Sequence, residues 1–153
     1  MSRRLVVGLG NPLAGDDRFG PAVLQRLQEE GLPPHVDAIP SCTDLLDHID
    51  RFLGYDAVVL VDALTGASAP PGTVEPVDEP TLLVWRAPST SAHRLSPVEA
   101  LRVFRALVPK AATRITLVAL HTDSVGPEPV HARPETIEEG ARLVRALLVP
   151  EAT

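Results

Sequence analysis

The sequence predicts an α/β protein with three layers, in which a mostly parallel sheet of about five strands lies between helices on both faces. Short apolar runs rich in valine and leucine recur along the chain, and segments with helical spacing separate them. The runs are continuous rather than alternating, which is typical of parallel strands covered on both faces. With 153 residues, 44% of them hydrophobic, the chain can bury one core, so we expect a single domain over residues 1–153.

The apolar runs that predict the strands cover residues 5–10, 36–39, 57–62, 82–85 and 115–120. A stretch rich in glycine and proline, residues 64–80, separates the third strand from the fourth and is too long for a tight turn. Residues 73–77 within it are compatible with an extra edge strand, because an edge strand tolerates Pro76.

Apolar residues at helical spacing predict four helices between and after these strands. The apolar positions of the first two are Phe19, Val23 and Leu27, followed by Leu45, Ile49 and Leu53, with Ser41 or Thr43 opening the second. The third helix has the clearest start: Ser96 is followed by Pro97 at the first helical position and by Glu99 as the capping-box acid. The last covers residues 134–148 and is predicted to bury Ile137, Ala141, Val144 and Leu148.

Charge and cysteine content narrow the classes of function. The formal net charge is -6, so a protein that binds the phosphate backbone of nucleic acid is disfavoured. Cys42 is the single cysteine, which excludes an intrachain disulfide. No apolar run approaches the roughly 18 residues of a membrane span, and the N-terminus lacks the apolar region of a signal peptide. We therefore expect a cytoplasmic protein without nucleic-acid or membrane partners.

Candidate functional residues lie where predicted strands end, because ligands of open α/β sheets bind beyond the carboxyl ends of the strands. Asp16 and Asp17 follow the first strand, Asp62 closes the third, and His93 lies in the loop before the third helix. Two carboxylates and an imidazole suit nickel, zinc or another divalent cation, and they could also polarise water for hydrolysis.

Each candidate also has a structural explanation. An Asp pair before a helix can act as an N-cap, a strand-end Asp62 can accept backbone N–H groups, and His93 can be a solvated loop residue. His121 and Asp123 follow the last strand, where they could support a site or cap a loop. The sequence alone leaves these alternatives open.

The glycine-rich segment Gly8-Leu9-Gly10-Asn11-Pro12 is not the fingerprint of a dinucleotide site. That fingerprint needs a third glycine at position 13, which is Leu13 here, and Pro12 interrupts entry into a helix. The structural alternative is a sharp exit from the strand, which glycine permits.

Three segments of the chain point to a known family: LVVGLGNPLAGDDRFGPAVLQRL, VVLVDALTGASAPPGTV and STSAHRLSPVEALRVF. Together they resemble the hydrogenase maturation proteases, which remove a C-terminal extension from the large subunit of nickel-iron hydrogenases. The resemblance covers nearly the whole chain. It implies that Asp17, Asp62 and His93 contact nickel already inserted in the precursor of the large subunit, and that the same residues serve cleavage.

The chain departs from the family pattern after its second strand. Many members have an Asp-Gly-Gly-Thr stretch there, whereas this chain has Pro40-Ser41-Cys42-Thr43 and so lacks the acidic residue. The catalytic base is therefore unassigned, and a non-catalytic nickel-dependent binding or chaperone module is an alternative function. A peptidyl-tRNA hydrolase is a weaker alternative, because only VVGLGNP resembles that family and the chain is acidic.

Overall fold

The computed structural model describes residues 2–42, 44–66, 69–84 and 96–149. Among these residues five strands form one sheet: β1 (Arg4–Leu9), β2 (Val36–Ser41), β3 (Ala57–Leu64), β4 (Val74–Asp78) and β5 (Arg114–His121). Their order in the sheet is β2-β1-β3-β5-β4. Neighbours among β2, β1, β3 and β5 are parallel, and β4 pairs with β5 in antiparallel orientation. The mostly parallel sheet predicted from the sequence is confirmed.

The helices of the described residues are α1 (Phe19–Glu30), α2 (Glu79–Val84), α3 (Pro97–Leu107) and α4 (Pro134–Leu148), together with two 3₁₀ helices, Gly15–Arg18 and Leu45–Gly54. Helix α3 begins as predicted, because Ser96 Oγ accepts from the N–H of Glu99 and Glu99 Oε2 accepts from the N–H of Ser96, both at 3.2 Å. None of these helices has the length and apolar character needed to cross a bilayer.

Two apolar clusters show that the sheet is covered on both faces. On one face, α1 and α4 pack on Val6, Val61 and Val118. On the other, α3 and the Leu45–Gly54 helix pack on Leu5 and Leu60. Because successive side chains of a strand point to opposite faces, continuous apolar strands feed both clusters. The three-layer arrangement is therefore as predicted.

The predicted strand over residues 82–85 is wrong. Residues 82–84 belong to helix α2, and Trp85 lies outside the described residues. The fourth strand along the chain is instead β4, which forms the edge of the sheet beside β5. The Oδ1 atom of Asp78 accepts from the N–H of Thr81 at 3.0 Å, which starts the helix. Leu82 is fully buried while Val84 is 76% exposed, so this apolar run is covered on one side alone.

The second predicted helix exists, but as the 3₁₀ helix Leu45–Gly54, and its apolar stripe differs from the prediction. Leu45, Ile49 and Phe52 are buried, whereas Leu53 is 57% exposed. A 3₁₀ helix has three residues per turn, so the buried position after Ile49 comes at i+3 rather than at i+4. Ser41 ends β2 instead of opening this helix, and Thr43 lies outside the described residues.

Candidate functional site

The carboxyl ends of the parallel strands form one edge of the sheet, and the chain leaves β1 there through a glycine turn. Gly10 has a φ of 128°, and its N–H donates to the carbonyl of Ser41 at the end of β2. A Cβ atom on Gly10 would lie 2.1 Å from the backbone oxygen of Asp17. Glycine is therefore required here, both by the positive φ and by the close approach of Asp17.

Asp17 lies in the short 3₁₀ helix Gly15–Arg18, against the end of β1. Its Oδ2 atom accepts a hydrogen bond from the N–H of Asn11 at 2.8 Å, and its carboxylate is half-buried. This hydrogen bond orients the side chain and leaves further lone pairs on the carboxylate for a ligand.

Asp62 lies inside β3 rather than at its end, because β3 continues to Leu64. It pairs in register with Ala119 of β5 and is half-buried. Alternation along the strand places it on the face of Leu60 and Leu64, the face that carries α3. The expectation that Asp62 closes the strand is therefore wrong, although it does lie near the carboxyl edge.

Gly20 explains why the segments that carry Asp17 and Asp62 lie close together. A Cβ atom on Gly20 would lie 2.1 Å from the carbonyl oxygen of Leu9 and 2.6 Å from that of Val61. The start of α1 therefore packs directly on the ends of β1 and β3. Asp17 precedes this contact by three residues and Asp62 follows Val61, and the Gly15–Arg18 helix itself contacts β3.

Asp16 has a different environment from its neighbour. It is 2% exposed, and its Oδ1 atom accepts from the N–H groups of Val130, His131 and Ala132, each at 2.8 Å. Its Oδ2 atom accepts from the hydroxyl of Thr122 at 2.6 Å. Burial raises the pKa of this carboxyl, but the hydrogen bonds from Thr122 and the backbone outweigh burial and lower it.

The N-cap explanation for the Asp pair is wrong. Among the described residues, no side chain caps α1 or the Gly15–Arg18 helix. Asp16 instead connects its helix to the loop after β5, and its partners lie more than 100 residues further along the chain. Such distant partners leave no local signal in the sequence.

His93 lies outside the described residues. Within the described ranges, no three His, Cys, Asp or Glu side chains come close enough together to hold a metal ion. Asp17 and Asp62 supply carboxylate oxygens, which are ligands that divalent cations accept. They fit a metal ion whose remaining ligands come from outside the described residues or from a bound partner.

Two further histidines lie at or beyond the end of β5. His121 Nε2 is 3.2 Å from Glu75 Oε1 on β4, and His131 Nε2 is 3.1 Å from Asp123 Oδ1. His121 is thus part of the pairing between β4 and β5. His131 went unnoticed in the sequence because it stands in a loop without a recognisable motif.

Comparisons with known proteins find hydrogenase maturation proteases among the similar sequences and structures. A provisionally named hydrogenase maturation protease of Methanocaldococcus jannaschii is 31% identical over 93 residues, which are 60% of this chain and 60% of that protein. The hydrogenase maturating endopeptidase HybD of Escherichia coli has a structure that matches with a TM-score of 0.80 and 24% identity, over 95% of this chain and 91% of that one. A hydrogenase 2 maturation peptidase from a Thaumarchaeota archaeon is 26% identical, with a TM-score of 0.67 over 95% and 97% of the chains. No protein-family model matches the chain.

The fold is that of an α/β protein, and two candidate acids, Asp17 and Asp62, lie towards the carboxyl ends of its parallel strands. The sequence relatives and the solved structures point to one kind of protein. The chain is similar, in sequence and in fold, to hydrogenase maturation proteases, and it spans about 60% of the length of the relative that is 31% identical to it.

Proposed function

We propose that the protein is an endopeptidase that removes the C-terminal extension from the nickel-loaded large-subunit precursor of a nickel-iron hydrogenase. The observation that carries the proposal is the close packing of the Asp17 segment and the start of α1 on β1 and on β3, the strand that carries Asp62, in the fold of the maturation endopeptidases. We further propose that the protein acts in the cytoplasm and that its partner is this precursor, rather than a nucleic acid or a membrane.

In this proposal nickel arrives with the substrate. Asp17, Asp62 and His93 would complete its coordination sphere, with other divalent cations able to take its place. The two carboxylates are hard oxygen donors, and an imidazole is a good ligand for nickel. A site with so few protein ligands favours a metal that its substrate already holds, since the free ion would be bound weakly.

Cleavage then depends on where the bound nickel positions the scissile peptide bond. Binding through the nickel would hold the precursor in one orientation and bring the scissile peptide bond close to the carboxylates of the site. A carboxylate that accepts the proton of an attacking water would make the attack on the peptide carbonyl faster. This assigns Asp17 and Asp62 two roles, as contacts to the nickel and as candidate bases.

The test measures the intact mass of a purified, nickel-loaded precursor after incubation with the protein. We expect Asp17→Ala, Asp62→Ala and His93→Ala each to slow loss of the C-terminal peptide by at least about 100-fold, as for loss of positioning or of a general base. Asp50→Ala is the matched control, because Asp50 is an exposed acid on the Leu45–Gly54 helix. It should cleave at the wild-type rate.

Two outcomes would contradict the proposal. Wild-type rates in Asp62→Ala or His93→Ala would exclude the nickel-contact mechanism. A wild-type protein that binds the nickel-loaded precursor without cutting it would instead indicate the non-catalytic binding module.

A further inference from the structure

We propose that Asp16 is a positioning residue, which fixes Asp17 by clamping the Gly15–Arg18 helix to the loop after β5. This inference rests on the proposed function, because Asp17 is there a contact to the substrate. It assigns a role to the first acid of the pair, whose carboxylate is buried and engaged on both of its oxygens.

The clamp has a strong chemical basis. The Oδ1 atom of Asp16 accepts hydrogen bonds from three N–H groups of the segment that leads into α4, and Oδ2 accepts one from the hydroxyl of Thr122, directly after β5. Hydrogen bonds to an ionised carboxylate are stronger than those between neutral groups. Thr122 lies at the start of this loop and residues 130–132 lie at its end, so both ends are bonded to one carboxylate. At the start of the loop, Thr122 Oγ1 also accepts a hydrogen bond from the N–H of Ser124 at 3.0 Å.

Gly15 adds a second and independent contact between the same two segments. Its N–H donates to the carbonyl of Pro127 at 2.8 Å, and a Cβ atom on Gly15 would lie 2.1 Å from the carbonyl oxygen of Gly126. Its φ of 51° also favours glycine. The helix that carries Asp17 therefore has the loop after β5 packed against its backbone as well as bonded to Asp16.

Asp17 is held from two sides as a result. Consecutive side chains of a 3₁₀ helix point about 120° apart, so Asp16 can bind the loop while Asp17 contacts the turn after β1. The hydrogen bond from Asn11 to Asp17 marks the second side. A displacement of about 1 Å at a reacting group can cost on the order of 100-fold in rate, so loss of the clamp should be visible in cleavage.

The first experiment compares Asp16→Ala with Asp16→Asn. We expect Asp16→Ala to slow precursor cleavage by about 10- to 100-fold. It should also reduce hydrogen-exchange protection of the Asn11 N–H, which reports directly on the position of Asp17. Asp16→Asn keeps an oxygen that can accept from the backbone N–H groups. Its side-chain NH2 group can donate a hydrogen bond to the hydroxyl oxygen of Thr122. It should therefore recover cleavage to within about 10-fold of wild type and restore the protection of Asn11.

A stability control separates positioning from a merely structural role. Val144→Ala in α4 removes buried volume without touching the Gly15–Arg18 helix, since Val144 is fully buried in the cluster under α1 and α4. At a temperature where both variants are folded, Val144→Ala should cleave at the wild-type rate and keep the protection of Asn11. Equal losses of rate in Val144→Ala and Asp16→Ala would overturn the inference.

A milder variant keeps the test decisive if Asp16→Ala does not fold. Thr122→Val removes one hydrogen bond to Asp16 and should reduce the protection of Asn11 and the cleavage rate in the same direction. Unchanged protection and a wild-type rate in this variant would count against the clamp. If Asp17→Ala itself cleaves at the wild-type rate, the proposed function fails, while the protection of Asn11 in Asp16→Asn and Thr122→Val still tests whether Asp16 positions Asp17.

Discussion

Asp16 and Asp17 show how far the roles of adjacent, identical residues can diverge. Both are acids at the start of the same short helix, yet Asp16 is 2% exposed and bonded to the loop after β5, while Asp17 is half-buried at the turn after β1. The sequence marks the pair but cannot say which member faces inward. Because consecutive side chains of a 3₁₀ helix point about 120° apart, one of the two acids faces the loop after β5 and the other faces the turn after β1.

Gly20 is the residue on which the approach of α1 to the sheet depends most directly. We expect Gly20→Ala to destabilise the fold by about 1–3 kcal/mol or more, because its Cβ would overlap the carbonyl oxygens of Leu9 and Val61, which are backbone atoms that cannot rotate away. Urea unfolding followed by circular dichroism measures the change in the free energy of unfolding.

Gly54→Ala is the matched control for this prediction. A Cβ atom on Gly54 meets nothing within 4 Å, so this change should alter the free energy of unfolding by less than about 1 kcal/mol. Similar values for the two variants would show that α1 can shift away from the sheet without cost.

At the scale of the element, β4 shows where local pattern succeeds, since an edge strand over residues 73–77 was expected, and α2 shows where it fails. Pro76 lacks a backbone N–H, which suits an edge strand that pairs with β5 alone. The run Leu82-Leu83-Val84 is apolar enough for a strand, but Asp78 starts a helix just before it and Pro80 fits the first turn. The sequence therefore contained a helix-capping residue, Asp78, but the apolar run after it favoured the prediction of a strand.

The junction between β2 and the start of β3 carries a pH-sensitive contact. Tyr55 donates its hydroxyl to Asp37 Oδ2 at 2.7 Å, and this hydrogen bond, with help from Arg3, lowers the pKa of Asp37 below its ordinary value of 3.8. A carboxyl whose pKa is lowered by folding stabilises the folded state above its unfolded pKa, and this contribution is lost as the pH falls through the folded pKa.

Tyr55→Phe should therefore raise the pKa of Asp37 towards 3.8 and lower stability at neutral pH. The difference in stability between the variant and wild type should shrink as the pH falls below about 4, where Asp37 becomes protonated. Carboxyl chemical shifts measured across an acid titration give the pKa. An unchanged pKa of Asp37 would show that the Tyr55 hydroxyl is not its main partner.

At the scale of the whole molecule, two apolar clusters hold the sheet between its helical layers. Phe52 belongs to the cluster under α3, is fully buried, and meets the ring of Phe104 edge to face with centroids 5.4 Å apart. This contact joins the Leu45–Gly54 helix to α3, the helix whose capped start follows the segment that contains His93.

Phe52→Ala should cost about 3–5 kcal/mol of stability, because it leaves a cavity between the two helices. The neighbouring Leu53→Ala is the control, and it should cost under about 1 kcal/mol since Leu53 is 57% exposed. Chemical denaturation of both variants measures the difference. A larger loss from Leu53→Ala would mean that the helix presents the opposite residue to the core.

The sequence by itself determined the features that local pattern controls. These are the buried parallel strands, the amphipathic α1 and α4, the capped start of α3 and the acids Asp17 and Asp62 near strand ends. Each depends on periodicity, a cap or a strand terminus, and all of these are contained within a few neighbouring residues.

Only the tertiary structure decided the rest. The choice of Phe52 over Leu53 depends on which side α3 covers, and the choice of β4 for the sheet depends on a free edge of β5. The role of Asp16 depends on partners more than 100 residues away, which no window of the sequence contains. The physical reason is the same in each case: long-range contacts select among local alternatives of similar free energy.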